Sequence, residues 1–214
     1  MSTNCNISIL KKDKTVSSIY CHSDGYLSYL GVCLYTYYDD VAKVKQLISL
    51  GNLSSLDKNI EPTIGSNHSF NNREQGICTF YGRDRKESNQ DCSNYPSLEE
   101  FLNNYPETYT SYTYLFKESN QKWYVYNENK NKFHLLKSFL KKLESPYMYF
   151  KDDFLQKLDF EKIQKNYNQL NKEIPILDTI PSSSATIKTR ESIAARSSKP
   201  VPTIGASGQS NGTA

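Results

Sequence analysis

Tyr109–Lys117 reads YTSYTYLFK, and after the short link ESNQ the chain continues as Lys122–Asn127, KWYVYN. Both runs carry bulky aromatic and β-branched residues, which suit a pleated, half-buried surface better than a helix. The link is polar and only long enough to reverse direction, so the two runs predict an antiparallel hairpin. Nearer the N-terminus, Asn6–Leu10 and Thr15–Cys21 are β-prone around the polar turn Lys11–Lys14, which predicts a second hairpin. A further strand is expected at Ile77–Tyr81. These pieces point to an α+β fold with a small, mostly antiparallel sheet covered by helices.

Helical signals lie between and after the strands. From Leu27, the apolar residues Leu30, Leu34 and Tyr37 recur at three- and four-residue spacing, and Val41, Val44, Leu47 and Ile48 form a second stripe. Asp39-Asp40 suits a helix start and Gly51 a stop, so a helical hairpin is predicted over residues 28–51. Ser97 stands at a cap position before LEEFLNNY, with Glu100 three residues on. Beyond residue 130, Phe133, Leu136, Phe139, Leu140 and Leu143 line one amphipathic face. A longer helix is expected from about Asp152, with Phe154, Leu158, Ile163, Tyr167 and Leu170 inward. From Pro181 the chain lacks aromatic residues and is rich in Ser, Thr, Gly and Pro, a composition too polar to offset ordering entropy. The expected organisation is an α+β domain over 1–130, a helical extension over 131–174 and a disordered, basic, Ser-rich tail over 175–214.

The net charge of +3 narrows the classes of partner. Lys188, Arg190, Arg196 and Lys199 against Glu191 place that excess in the last 34 residues, so residues 1–180 are balanced. A neutral body argues against nucleic-acid binding through phosphate neutralisation. It favours a protein partner or a nucleotide-like small ligand, and a second copy of the chain or a virion neighbour is a further option. Five cysteines without tight spacing argue against a disulfide framework. No apolar run reaches the length of a signal peptide or a membrane span, which predicts a reducing compartment and no membrane.

Ser18–Tyr26, SIYCHSDGY, followed by Gly31 and by LISLGNLSSL at 47–56, resembles a small protein family common in phages and prophages. Its members open with an I-Y-C-H-x-D-G-Y block and continue into a helix and an L-I-x-L-G-x-[IL]-S-S-L segment. Thr79–Arg85, Leu98–Phe101 and Tyr114–Val125 fit the same layout, so the resemblance spans about residues 7–127. Ser23 stands where the family often has Trp. The resemblance implies a viral or mobile-element origin, with an accessory role in the host cytoplasm or a place in the virion. It names no catalytic residue.

Cys21-His22-Ser23-Asp24 is the densest cluster of reactive side chains, but adjacent residues on a strand point to opposite faces, so Cys21 and His22 cannot pair directly. The bland reading has Cys21 in the core and His22 with Asp24 shaping the turn. His22, His68 and His134 show no metal-ligand spacing with the cysteines. Gly82–Lys86, GRDRK, offers guanidinium groups suited to carboxylate or phosphate, or is simply a solvated strand end. Asp39-Asp40, Glu99-Glu100 and Asp152-Asp153 sit at helix starts, where the dipole accounts for them. No P-loop or dinucleotide fingerprint is present. Tyr20, His22, Asp24, Tyr26, Arg83 and Arg85 remain as candidate partner- or ligand-binding residues, with no catalytic residue, metal or cofactor assigned. Non-catalytic binding is the first functional expectation; a virion component and an enzyme centred on His22 and Asp24 are the others.

Overall fold

The computed structural model describes residues 2–104, 110–127 and 132–167. The first hairpin pairs Cys5–Leu10 (β1) with Val16–Cys21 (β2), in register from Cys5 opposite Cys21 to Leu10 opposite Val16. Its turn places Lys14 at φ 74°, and the Asp13 carboxylate accepts from the Thr15 N–H at 3.0 Å and its hydroxyl at 2.7 Å. The second hairpin pairs Tyr112–Lys117 (β6) with Lys122–Asn127 (β7), and Lys132–Leu135 (β8) extends it.

The sheet is not the small, mostly antiparallel one expected. Leu53–Ser55 is β3, Thr79–Phe80 is β4 and Ser93–Tyr95 is β5. Among the described residues the sheet has eight strands and is mixed, in the order β4-β3-β2-β1-β6-β7-β8 with β5 paired beside β2. Two parallel contacts join the hairpins to each other and to β3: β1 runs alongside β6, and β2 meets β3 at Cys21 and Leu53. A hairpin is a local event signalled by its turn. A parallel pair joins segments far apart in sequence, and no turn residue announces it.

Alternation along the strands gives the sheet two unlike faces. On the first, Cys5, Ile7, Ile9, Ile19, Cys21, Tyr114, Phe116, Trp123 and Val125 are all buried. They pack against the helices Val32–Tyr37 (α1) and Val41–Ser49 (α2), and against Leu136–Leu140 (α5) and Lys151–Tyr167 (α6). On the second, Leu10, Val16, Leu115, Tyr124 and Phe133 form a smaller cluster around Phe101 of Leu98–Asn103 (α4). Asn6, Ser8 and Ser18 share that face and are also buried, with the Ser8 hydroxyl donating to Ser18 at 2.8 Å.

Caps follow the sequence closely. Asp40 accepts from the Lys43 N–H at 2.9 Å to start α2, and Ser97 accepts from the Glu100 N–H at 3.0 Å to start α4. A π-helical turn at Leu27–Gly31 leads into α1.

The short strand β3 at Leu53–Ser55 is absent from the sequence reading. Residues 133–135 are strand rather than helix: the open edge of β7 offers backbone hydrogen bonds, and Phe133 and Leu135 reach the second-face cluster. The division at residue 130 does not separate two bodies either. Leu136, Leu140, Phe150 and Phe154 lie in the same first-face core as β1 and β2, and one compact unit includes them all. Leu170 and the basic tail expected at 175–214 lie outside the described residues.

Candidate functional site

The sharp corner after β2 sets the geometry of the site. His22 N–H donates to Leu53 O at 3.0 Å and Ser23 N–H to Ser54 O at 2.9 Å, so β3 holds the chain as it turns. Asp24 adopts φ 58°, a conformation Asp tolerates better than most residues. Gly25 then presses on β1: a Cβ there would lie 2.8 Å from Cys5 Cβ and 2.9 Å from the Asn4 backbone. The Tyr114 hydroxyl donates to Gly25 O at 2.9 Å from beneath. Any side chain at position 25 would push the corner off the sheet.

This corner divides the six candidate residues. Tyr20, near the end of β2, and His22, just past it, come together, with the Tyr20 hydroxyl 3.1 Å from His22 Nδ1. Asn52 locks them from the side by accepting the Tyr20 N–H at 2.8 Å. Cys21 points the other way and is fully buried. Past the turn, Asp24 stands beside Tyr26. Partial burial and the Asp24 carboxylate together push the Tyr26 phenol above its ordinary pKa. Tyr26 itself packs edge-on to Tyr29 at 6.0 Å between centroids.

Arg83 and Arg85 also part company. The stretch after β4 is a short helix, Tyr81–Arg85 (α3), rather than a solvated strand end. Residues two apart on a helix face different sides. Arg83 turns inward: Nε donates to Asp84 Oδ1 at 2.7 Å, Nη1 to Ile60 O at 2.7 Å, and Nη2 to Cys78 O at 2.7 Å and Asp84 Oδ2 at 2.9 Å. It staples the loop between β3 and β4 to the sheet. Arg85 stays accessible, its guanidinium 4.3 Å from the Phe70 ring centre and 5.6 Å from that of Tyr81. Arg73 approaches the same Phe70 ring at 4.7 Å.

His68 and Asp84 form a buried contact that sequence inspection missed. Their side chains are 1% and 4% exposed, with His68 Nε2 3.4 Å from Asp84 Oδ2. His68 Nδ1 accepts the Glu74 N–H at 3.0 Å, which occupies that nitrogen's lone pair and ties the ring to the loop. Burial works to raise the Asp84 pKa, but hydrogen bonds from Arg83 and the Phe80 N–H, with His68 nearby, hold it below the ordinary value.

Four of the five cysteines are equally enclosed. Burial pushes Cys5 and Cys33 well above the ordinary thiol pKa and Cys78 up to about 12. Thiolate character is what makes cysteine reactive, and burial in an apolar core suppresses it. Cys92 alone among the five is partly exposed. Among the described residues, no three His, Cys, Asp or Glu side chains converge as a metal site.

On the far side of the corner, an open groove of about 600 Å³ is lined by Tyr26, Ser28, Ser145, Pro146, Tyr147, Met148 and Tyr149. Tyr147 N–H donates to Ser28 O at 2.9 Å, tying the segment before α6 to the π-helical turn. Met148 is 86% exposed and Tyr147 46%. Sequence reasoning passed over the YMYF run at 147–150. A dense aromatic stretch just after a proline was the available signal.

No described helix is long and apolar enough to cross a membrane. Comparison with protein families, curated proteins and solved structures finds no match for this chain.

Proposed function

We propose that the chain is a non-catalytic binding module of viral, phage type that engages a protein or a nucleotide-like small ligand inside the infected cell. One contrast carries the reading. The groups best suited to covalent or acid–base chemistry, namely the buried thiols, His68 and Asp84, are consumed in holding the fold. Tyr20, His22 and Arg85 remain at the surface. Hydroxyl, imidazole and guanidinium groups with aromatic neighbours are typical of contact surfaces, where rigid rings give area and Arg gives directional hydrogen bonds. The SIYCHSDGY block is the ground for placing the partner in an infected cell.

The test is affinity capture from infected cells with the wild-type chain and with Arg85→Ala and Tyr20→Ala, identifying both proteins and small molecules. Both variants should keep the wild-type melting profile and lose the specific partner. Undiminished capture by both would move binding away from this surface. Thiol labelling addresses catalysis separately. Iodoacetamide should modify Cys92 first in the folded protein, whereas selective modification of Cys21 would favour an enzyme. Stoichiometric recovery in purified particles would favour the virion reading.

A further inference from the structure

The chain repeatedly sets an ammonium group on a tyrosine ring. Lys43 Nζ lies 4.5 Å from the centre of Tyr38, Lys58 Nζ 4.5 Å from that of Tyr149, and Lys157 Nζ 5.3 Å from that of Tyr35. Such contacts gain from the negative face of the ring and are best when the ring is fixed in place. Among the described residues, Tyr26 and Tyr147 receive no such cation, although both line the open groove.

Their rings are held by their neighbours. Tyr29 stands behind both, with centroid distances of 6.0 Å to Tyr26 and 4.9 Å to Tyr147 and interplanar angles of 63° and 61°. Tyr29 in turn packs edge-on to the buried Phe150 at 4.9 Å. Tyr26 and Tyr147 are each steeply inclined to Tyr29, so the rings form a corner around it instead of a stack. The Tyr29 hydroxyl donates to Leu56 O at 3.5 Å, which fixes that corner to the segment after β3.

The charges around the corner favour a cation. Asp24 stands beside Tyr26, and Asp57 acts on Tyr29 and Tyr149. Lys58, the basic group acting on Tyr149, is already paired with Asp153 at 3.1 Å. Exposed Met148 and half-buried Pro146 supply an apolar floor suited to a methylene chain.

We propose that this groove receives a lysine side chain from a partner protein, its stem along Met148 and Pro146 and its ammonium against the Tyr26 and Tyr147 rings near Asp24. The groove is open and shallow, which suits a side chain presented on another surface better than an enclosed small molecule. This site is separate from the Tyr20, His22 and Arg85 surface and stands or falls independently of it.

The experiment is an NMR titration of the full chain with the peptide acetyl-Gly-Lys-Gly-amide and with its norleucine counterpart, which keeps the stem and removes the charge. Saturable shifts confined to Tyr26, Tyr147, Met148 and their neighbours are expected for the lysine peptide, with the norleucine peptide roughly tenfold weaker. Tyr147→Ala should weaken lysine-peptide binding roughly two- to fivefold, the range for a cation on a largely exposed ring. Tyr147→Phe should bind as the wild type does. Asp24→Asn, tolerated at a positive φ, should also weaken binding, more at low salt than at high. Equal binding of the two peptides, shifts located elsewhere, or full binding by Tyr147→Ala would overturn the proposal. So would saturable binding of tetramethylammonium chloride without any for the lysine peptide, which would indicate a free small cation.

Discussion

The two faces of the sheet are built from the same strands and differ in almost everything else. The first is nearly continuous: its buried side chains from Cys5 to Val125 named above are apolar or aromatic, buried Ser17 is its polar exception, and helices lie over it. The second is divided. Its β6-β7-β8 end packs under α4, whereas its β2-β3 end carries Tyr20, His22 and Ser54, with Arg73 and Arg85 around Phe70. Strand alternation permits this difference because neighbouring residues answer to separate environments. The first face carries most of the stability and leaves the second free to specialise.

That division can be broken by mutation. Phe154→Ala should cost the most, about 3–5 kcal/mol for truncating a buried Phe, because Phe154 joins α6 to the first-face core. Urea denaturation would measure it, and a cost below about 1 kcal/mol would mean that α6 adds little to that core. Leu115→Ala, on the second face, should cost about 2–3 kcal/mol, at the lower part of the range for Leu truncation because the smaller cluster can close over the gap. A larger loss than for Phe154→Ala would reverse the ranking of the faces.

Asp84→Asn tests the polar end and should lower stability at neutral pH by about 1–3 kcal/mol, since hydrogen bonds to a charged group are weakened. It also has a pH signature. A carboxylate whose pKa is depressed on folding contributes stability that is complete above its unfolded value of about 3.9. That contribution is lost as pH falls through the lower folded value. The wild type should therefore lose stability in acid more steeply than Asp84→Asn. Parallel acid limbs would show that Asp84 does not carry this linkage.

Smaller effects refine the picture. Ser97→Ala should cost about 1 kcal/mol by removing the cap of α4, and with it part of the cover over the second face. Tyr20→Phe should change stability by less than about 0.5 kcal/mol, as surface substitutions usually do. A clear loss on thermal melting would show the Tyr20–His22 contact to be part of the scaffold rather than a free surface.

Much of the local structure was legible. The two hairpins follow from β-prone runs around polar links, and the caps at Asp40 and Ser97 from side chains that satisfy open N–H groups. Other parts were hidden. Asp24 is only two residues beyond His22, but a positive φ and the tight seat of Gly25 carry it away. Arg83 and Arg85 looked equivalent as strand-end cations; a helix at 81–85 separates them, one into the loop anchor and one into solvent. His68 and Asp84 lie 16 positions apart, and nothing in their spacing brings them together.

The amino-acid order alone decided which segments become strands and helices wherever side-chain period, turn chemistry and capping agree, because those preferences act over a few residues. It also settled the balance of charge in the body. Tertiary structure decided which strands become neighbours, that β8 completes an edge, and that α6 shares the first-face core. Those outcomes depend on which distant apolar faces and open backbone edges can satisfy one another, a condition on the whole chain that no local pattern records.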